Sequence, residues 1–207
     1  MPRVMPLLLA VAMLLPHGAW ADNMILSLDP STQSTGVGGT ATLDLDISGV
    51  NASTAAIGGF DLVVNYNPAI VSLSTVNFGA LLGDGVSTSY EQVNSSSGAA
   101  EVIEFSFLDP AVLATEPSSF TLANLSFTGL AGGTSAVSLV PPGSGGAYLS
   151  DAYGNPLSAT LTGAQITVTG ASPVPEPGAL WLMVCGLLAG APLIARRPTP
   201  LGGQARP

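Results

Sequence analysis

From Asp22 to Ala195 the chain carries not one Lys, Arg or His, while twelve of its thirteen carboxylates fall between Asp22 and Asp151. No ion pair can form inside such a segment, so apolar burial and backbone hydrogen bonds must hold its fold together. A surface of one sign cannot grip phosphates, which excludes nucleic acid as a partner. It is also repelled by anionic lipid and stays soluble as a spaced-out module. The only cysteine, Cys185, and both tryptophans, Trp20 and Trp181, lie outside residues 22–170. The segment therefore has no disulfide and no thiol nucleophile, and without His it lacks the commonest general base and metal ligand. Any chemistry rests on carboxylates, hydroxyls and backbone.

The apolar pattern of this segment has a period of two, with turn residues between short runs and no sustained helical period. Met24 to Leu28 reads as a strand ending at Asp29-Pro30, and Ala41 to Ile47 alternates cleanly behind Gly38-Gly39. Phe60 to Tyr66 is closed by Asn67-Pro68, and Ile70 to Phe78 by Gly79. Further strands are expected at Ser87–Val93, Glu101–Phe107, Phe120–Phe127, Ala136–Val140 and Leu161–Thr169. One short helix fits within Ala111–Thr115, and Pro141–Leu157 reads as irregular. About nine strands at this spacing predict an all-β antiparallel β-sandwich occupying residues 22–170.

A family resemblance covers nearly all of this domain. The run Val37-Gly38-Gly39-Thr40-Ala41-Thr42-Leu43-Asp44-Leu45 is similar to the opening of cohesin domains. Gly59 to Pro68 resembles their second landmark, an apolar strand ending in Tyr-Asp-Pro, with Asn67 standing at the aspartate. Leu73, Val76 and Gly79 continue it, Leu122 to Phe127 resembles a later Leu-Phe strand, and Gly163 to Val168 the closing one. The resemblance implies a nine-stranded jelly-roll sandwich that binds proteins and is related in fold to some carbohydrate-binding modules. Fold alone does not carry an activity across.

The two ends read as addresses. Arg3, the apolar run Leu7 to Leu15 and the small-large-small triplet Ala19-Trp20-Ala21 form an export signal over residues 1–21, cut before Asp22. At the other end, residues 171–177 form a linker carrying Pro175-Glu176-Pro177. Residues 178–195 follow with no charge, and Arg196-Arg197 opens a basic cytoplasmic tail over 196–207. At about 1.5 Å per residue, the uncharged stretch spans roughly 27 Å as a helix, long enough to cross a bilayer. This order strongly resembles the PEP-CTERM sorting signal of exported bacterial proteins. The resemblance implies recognition and cleavage near the motif by an exosortase-type membrane protease, often in organisms that make exopolysaccharide. An ordinary uncleaved single-pass anchor is the plain alternative.

Candidate chemistry inside the domain is sparse. Asp44 and Asp46 share one strand face, roughly 7 Å apart by strand rise, a spacing that overlaps inverting glycosidases. The same pattern describes a solvated polar face opposite Leu43, Leu45 and Ile47. Glu101 and Glu104, three apart, point to opposite faces. No cofactor is expected. Calcium is the one ion this oxygen-rich domain suits, and Asp151-Ala152-Tyr153-Gly154-Asn155 offers closely spaced oxygens, although a hairpin turn explains them equally. The resulting expectation is an exported, non-catalytic interaction module, membrane-anchored as a precursor and then at the cell surface. Its partner is an envelope protein or, alternatively, an exopolysaccharide bound by a carbohydrate-binding module. A carboxylate-dependent glycosidase is the remote third reading.

Overall fold

The computed structural model describes residues 24–143 and 148–170. The export signal with Ala19 and Ala21, the motif Pro175-Glu176-Pro177, the apolar span 178–195 and Arg196-Arg197 lie outside the described residues. Among the described residues, no helix is long and apolar enough to cross a membrane.

The first half contributes β1 (Met24–Asp29), β2 (Thr32–Gly36), β3 (Thr40–Ser48), α1 (Ala52–Ala55), β4 (Ile57–Asn65), β5 (Val71–Phe78) and β6 (Ser89–Ser96). The second half adds β7 (Ala99–Ser106), α2 (Pro110–Leu113), β8 (Ser119–Gly129), β9 (Gly133–Val140), β10 (Leu149–Asp151), β11 (Ala159–Thr162) and β12 (Ala164–Thr169). They form two sheets, a first in the order β11-β1-β3-β8-β5 and a second in the order β2-β12-β9-β4-β7-β6, with β10 also paired to β4. The alternation read from the sequence decides what lies between them. Leu26 and Leu28 of β1, Leu43, Leu45 and Ile47 of β3, and Phe60, Leu62 and Val64 of β4 are all buried. Ile166 and Val168 of β12 complete the layer. Tyr66 packs edge-on against Phe127 at 5.5 Å between ring centres, and Phe60 lies 6.3 Å from Phe78. Such contacts and the buried aliphatic area are what a domain without basic residues has to fold on.

The expected β-sandwich is present, but with twelve strands among the described residues rather than about nine. Three differences have distinct causes. Thr32–Gly36 contains no apolar alternation and is a strand only because it pairs with β12. Leu161–Thr169 is interrupted at Gly163, where the chain passes from the first sheet to the second; a Cβ there would meet the Val137 carbonyl oxygen at 2.4 Å. The three-residue β10 sits inside the stretch expected to be irregular and adds to β4. The sandwich is also not wholly antiparallel, because β1 runs parallel to β11 and β2 parallel to β12. Both end segments of the domain therefore cross between the sheets together and close one side of the sandwich. β6 runs from Ser89 to Ser96 instead of Ser87–Val93, taking three residues expected to belong to the following turn. The short helix falls where expected, as α2, with the Asp109 carboxylate accepting from the Ala111 amide. α1 was not legible in the pattern.

Candidate functional site

The two outer sheet faces differ in what their side chains leave unsatisfied. On the first sheet, Asp44 accepts from Asn124 Nδ2 and Asp46 from Thr121 Oγ1, both at 2.6 Å, across the β3–β8 ladder. A bulge between Leu45 and Asp46 shifts that ladder by one residue. Leu43, Leu45 and Ile47 point inward from the same strand and are buried. The pair singled out from the sequence thus has the geometry of an amphipathic strand whose carboxylates are engaged by neighbours. Asp151 is engaged too. Its Oδ1 accepts from the Tyr153 and Asn155 amides and its Oδ2 from Asn155 Nδ2, all within the turn. Against the effect of burial, the Asn155 side chain and the Asn155 and Tyr153 amides hold this carboxyl below its usual range. The Asp151 amide donates to the Asn155 carbonyl and Ser150 bridges Pro156, so the segment is built as a hairpin turn. Among the described residues, no group of three or more His, Cys, Asp or Glu is placed to hold a metal.

The outer face of β4, β7 and β6 is different. Register places Gly59, Phe105 and Tyr90 in one cross-strand row, Asp61, Ile103 and Gln92 in the next, and Val63, Glu101 and Asn94 in a third. Val63 also lies opposite Val140 of β9. Phe105 is 41 % exposed and Tyr90 46 %, high values for large rings within strands. Gly59 makes the Phe105 position feasible, since a Cβ there would stand 2.5 Å from the ring. Along β6 the polar side chains form one chain of hydrogen bonds. Tyr90 Oη donates to Gln92 Oε1, Gln92 Nε2 to Asn94 Oδ1 at 2.6 Å, and Asn94 Nδ2 to Glu101 Oε2 at 2.9 Å. That chain fixes the rotamer of Tyr90 and so reduces the entropy lost when the ring is covered.

Asp61 sits at the centre of the face. Its Oδ1 is buried without a hydrogen-bond partner, and burial, helped by the Glu101 charge, raises its carboxyl above the usual range. Beside it lies a depression of about 240 Å³ bordered by Gly59, Phe105, Tyr148 and Ser150. The face therefore offers two rings, two aliphatic side chains and a half-buried carboxylate whose Oδ1 is turned inward without a partner.

Sequence reasoning had set Glu101 and Glu104 aside as a pair pointing opposite ways, and they do. What it missed is that Glu104 is wholly buried, with neither carboxylate oxygen partnered. Burial, and then the neighbouring Glu91 charge, pushes its carboxyl up to about 8. The run itself carries no signal for it, because either phase of the alternation holds a glutamate and an aliphatic residue. Glu116, just after α2, is a second such acid. Its Oε2 accepts from the Ile57 amide at 2.7 Å while Oε1 is buried unpartnered, and burial pushes it up to about 7.

A two-sheet β-sandwich whose end segments close one side, and whose second sheet presents an aromatic and acidic face, defines the class of this domain. The profile of the cohesin domain matches residues 26–152, well over half of the chain, and the chain belongs to the cohesin family. No curated protein sequence matches it. Among solved structures it is similar to the cohesin CaCohA2 in complex with CaDoc0917, with 26 % identity and a TM-score of 0.56, covering 71 % of this chain and 100 % of that one. The solution structure of CaCohA2 from Clostridium acetobutylicum is also 26 % identical, with a TM-score of 0.52 over 73 % of this chain and 95 % of that one. The sixth cohesin of Acetivibrio cellulolyticus scaffoldin B, solved with a Cel5 dockerin, shares the fold at 20 % identity and a TM-score of 0.54, covering 70 % of this chain and 99 % of that one.

Proposed function

We propose that this domain is a non-catalytic docking module that binds a dockerin-like protein through the outer face of β4, β7 and β6. The observation that carries the reading is the exposed Tyr90–Phe105 pair set beside the unpartnered oxygen of Asp61. Rings in a desolvated centre with a charged hydrogen-bonding group next to them are the composition of interface hot spots. A partner that fits presents an aliphatic or aromatic ridge and a Lys or Arg for Asp61. Family membership supports a protein as partner, and the solved complexes of similar cohesins with dockerins support its type.

A second reading rests on the same two rings, since adjacent exposed aromatics also stack against sugar rings; here the ligand is an exopolysaccharide. One experiment separates the two. The purified chain is immobilised and offered dockerin domains, envelope proteins and host polysaccharide, with Phe105→Ala and Tyr90→Ala variants in parallel. Saturable dockerin binding that falls in both variants supports the docking reading. Retention of polysaccharide alone, also lost in both, supports the sugar reading and removes the first.

We further propose that residues 1–21 export the protein and that the segment from Pro175-Glu176-Pro177 to Arg196-Arg197 delivers it to the cell envelope, where an exosortase-type protease cleaves near the motif. The order of motif, uncharged span and arginine pair supports this. Mass spectrometry of surface-recovered protein is expected to show a C-terminus near Pro175. An intact Arg196-Arg197 on all mature surface protein overturns the cleavage.

A further inference from the structure

The two sheets end in four edge strands, β11, β5, β2 and β6, and three of them are blunted. β11 has four residues and β2 five, too short to template a partner. β5 has eight, but a bulge between Leu73 and Thr75 breaks its register with β8. β6 is the exception. Its register with β7 is unbroken from Ser89 opposite Ser106 to Ser96 opposite Ala99, and it holds no Pro and one charge, Glu91. The unpaired amides and carbonyls of such an edge invite another strand. The space beside it is also open. Glu91, Val93 and Ser95 stand opposite the buried Glu104, Val102 and Ala100, so they face inward. Across the gap, Leu73 and Val76 of β5 stand opposite the buried Phe127 and Leu125 and are only partly covered. Three depressions of about 370, 400 and 430 Å³ lie between the two edges. The first two share Val76 and the last two share Leu73 and Ser95, so they form one trough beside β6 from Glu91 to Gly98. The opposite side of the sandwich is closed by the paired end segments. This side gapes.

We propose that the edge of β6 is a second interaction surface, which takes one extended segment of another protein as an added antiparallel strand. The segment lies in the trough with apolar side chains inward and a Lys or Arg beside Glu91. Backbone hydrogen bonds to β6 supply affinity, and the trough reads every second side chain of the added strand. Aliphatic residues fit there, against Leu73, Val76 and Val93. Charge is fixed at one end only. Glu91 and Asp84 border the trough together, and the Ser87, Thr88 and Val86 amides hold the Asp84 carboxyl well below its usual range. The other end, at Tyr66, Pro68 and Leu130, is neutral. A cation on the guest therefore belongs opposite Glu91, where a cross-strand pair of opposite charge is favourable. A second copy of this chain is a poor guest. Residues 22–195 hold no Lys, Arg or His, so pairing two copies sets one acidic domain against another and leaves each Glu91 without a cation. The surface is separate from the Tyr90–Phe105 face, which lies on the outer side of the sheet.

The test uses the full chain and two capped octapeptides that alternate Thr and Val, one carrying Lys in its sixth position and the other Glu. Calorimetry is expected to show one site for the Lys peptide, saturating below about 1 mM. Hydrogen exchange read by mass spectrometry should slow in residues 89–96 when it binds. The Glu peptide should bind about fivefold more weakly or worse. Glu91→Gln should narrow that preference. Val93→Lys puts a like charge into the trough and should abolish binding of the Lys peptide, whereas Phe105→Ala on the outer face should leave it unchanged. If Val93→Lys does not fold, Glu91→Gln decides alone. No saturation by about 1 mM, or a preference unmoved by Glu91→Gln, overturns the proposal. Loss of the peptide in Phe105→Ala places it on the docking face and overturns it equally. A chain that dimerises with residues 89–96 already protected before peptide is added makes the occupant a second copy, and also overturns it. None of these readouts depends on dockerin binding.

Discussion

The outer faces of the two sheets are built from the same strand pattern and end in opposite states. On the first, both carboxylates of β3 found an amide or hydroxyl on the neighbouring strand, Asp44 with Asn124 and Asp46 with Thr121. On the second, the hydrogen-bond chain from Tyr90 to Glu101 stops short of Asp61, whose Oδ1 is buried and unpartnered in the row next to the exposed rings. Buried polar atoms are normally satisfied, and the exceptions need a reason. The difference teaches that in a domain without basic residues, a carboxylate is either engaged by a neighbouring strand's amide or hydroxyl or left with an oxygen unpartnered beneath the surface.

The largest effect should come from the rings. Phe105→Ala is expected to weaken partner binding by about 30-fold or more, the loss typical of a central aromatic hot spot, with the fold retained. Calorimetry on the parent and the variant measures it. An unchanged affinity would remove the contrast between the two faces.

Next in size is the response to pH. Glu104 and Glu116 keep their protons in the native state up to about 8 and about 7, whereas in the unfolded chain both titrate near 4.5. Their contribution is thus fully present below about 4.5 and is lost as pH rises through 7 to 8. Asp84 is shifted the other way by its three loop amides, and its contribution is lost only as pH falls below the ordinary aspartate value of 3.8. In EDTA the melting temperature should therefore be several degrees higher at pH 5 than at pH 8.5, and Glu104→Gln should flatten the profile. Rising stability toward pH 8.5 would contradict the burial of these acids.

Glu116 allows a finer test. Glu116→Gln keeps an acceptor for the Ile57 amide and should be neutral or mildly stabilising at pH 8. Glu116→Ala leaves that amide without its acceptor and should cost about 1–3 kcal/mol in denaturant unfolding. Equal effects of the two changes would mean that the 2.7 Å bond contributes nothing. Smallest of all, Asp44→Asn should alter stability and binding by less than about 0.5 kcal/mol, because the new amide oxygen can still accept from Asn124 Nδ2.

Legibility followed the physics of each segment. β1, β3, β4 and β12 bury one face and expose the other, so their alternation shows in the residues themselves. β2, with Thr-Gln-Ser-Thr-Gly, buries nothing fully, and its strand state comes from a partner more than a hundred positions away. The docking face was harder. In Glu101-Val102-Ile103-Glu104-Phe105 either phase of the alternation carries a glutamate and an aliphatic residue, so the run does not declare which side faces the core. Only assembly placed Val102 and Glu104 inside and Ile103 and Phe105 outside. The acidic count was obvious from the start, but which acids would be left unpaired depended on neighbours contributed by other strands.

The parallel pairing of β1 with β11 and of β2 with β12 has a mechanical consequence. A load pulling Met24 and Gly170 apart drags two parallel neighbours in opposite senses along their length. The hydrogen bonds joining them are then strained together, so they must fail as a group. An antiparallel hairpin pulled at its open end would peel one bond at a time at much lower force. Tension applied across the two ends of the domain therefore meets its parallel pairs in the orientation that resists it.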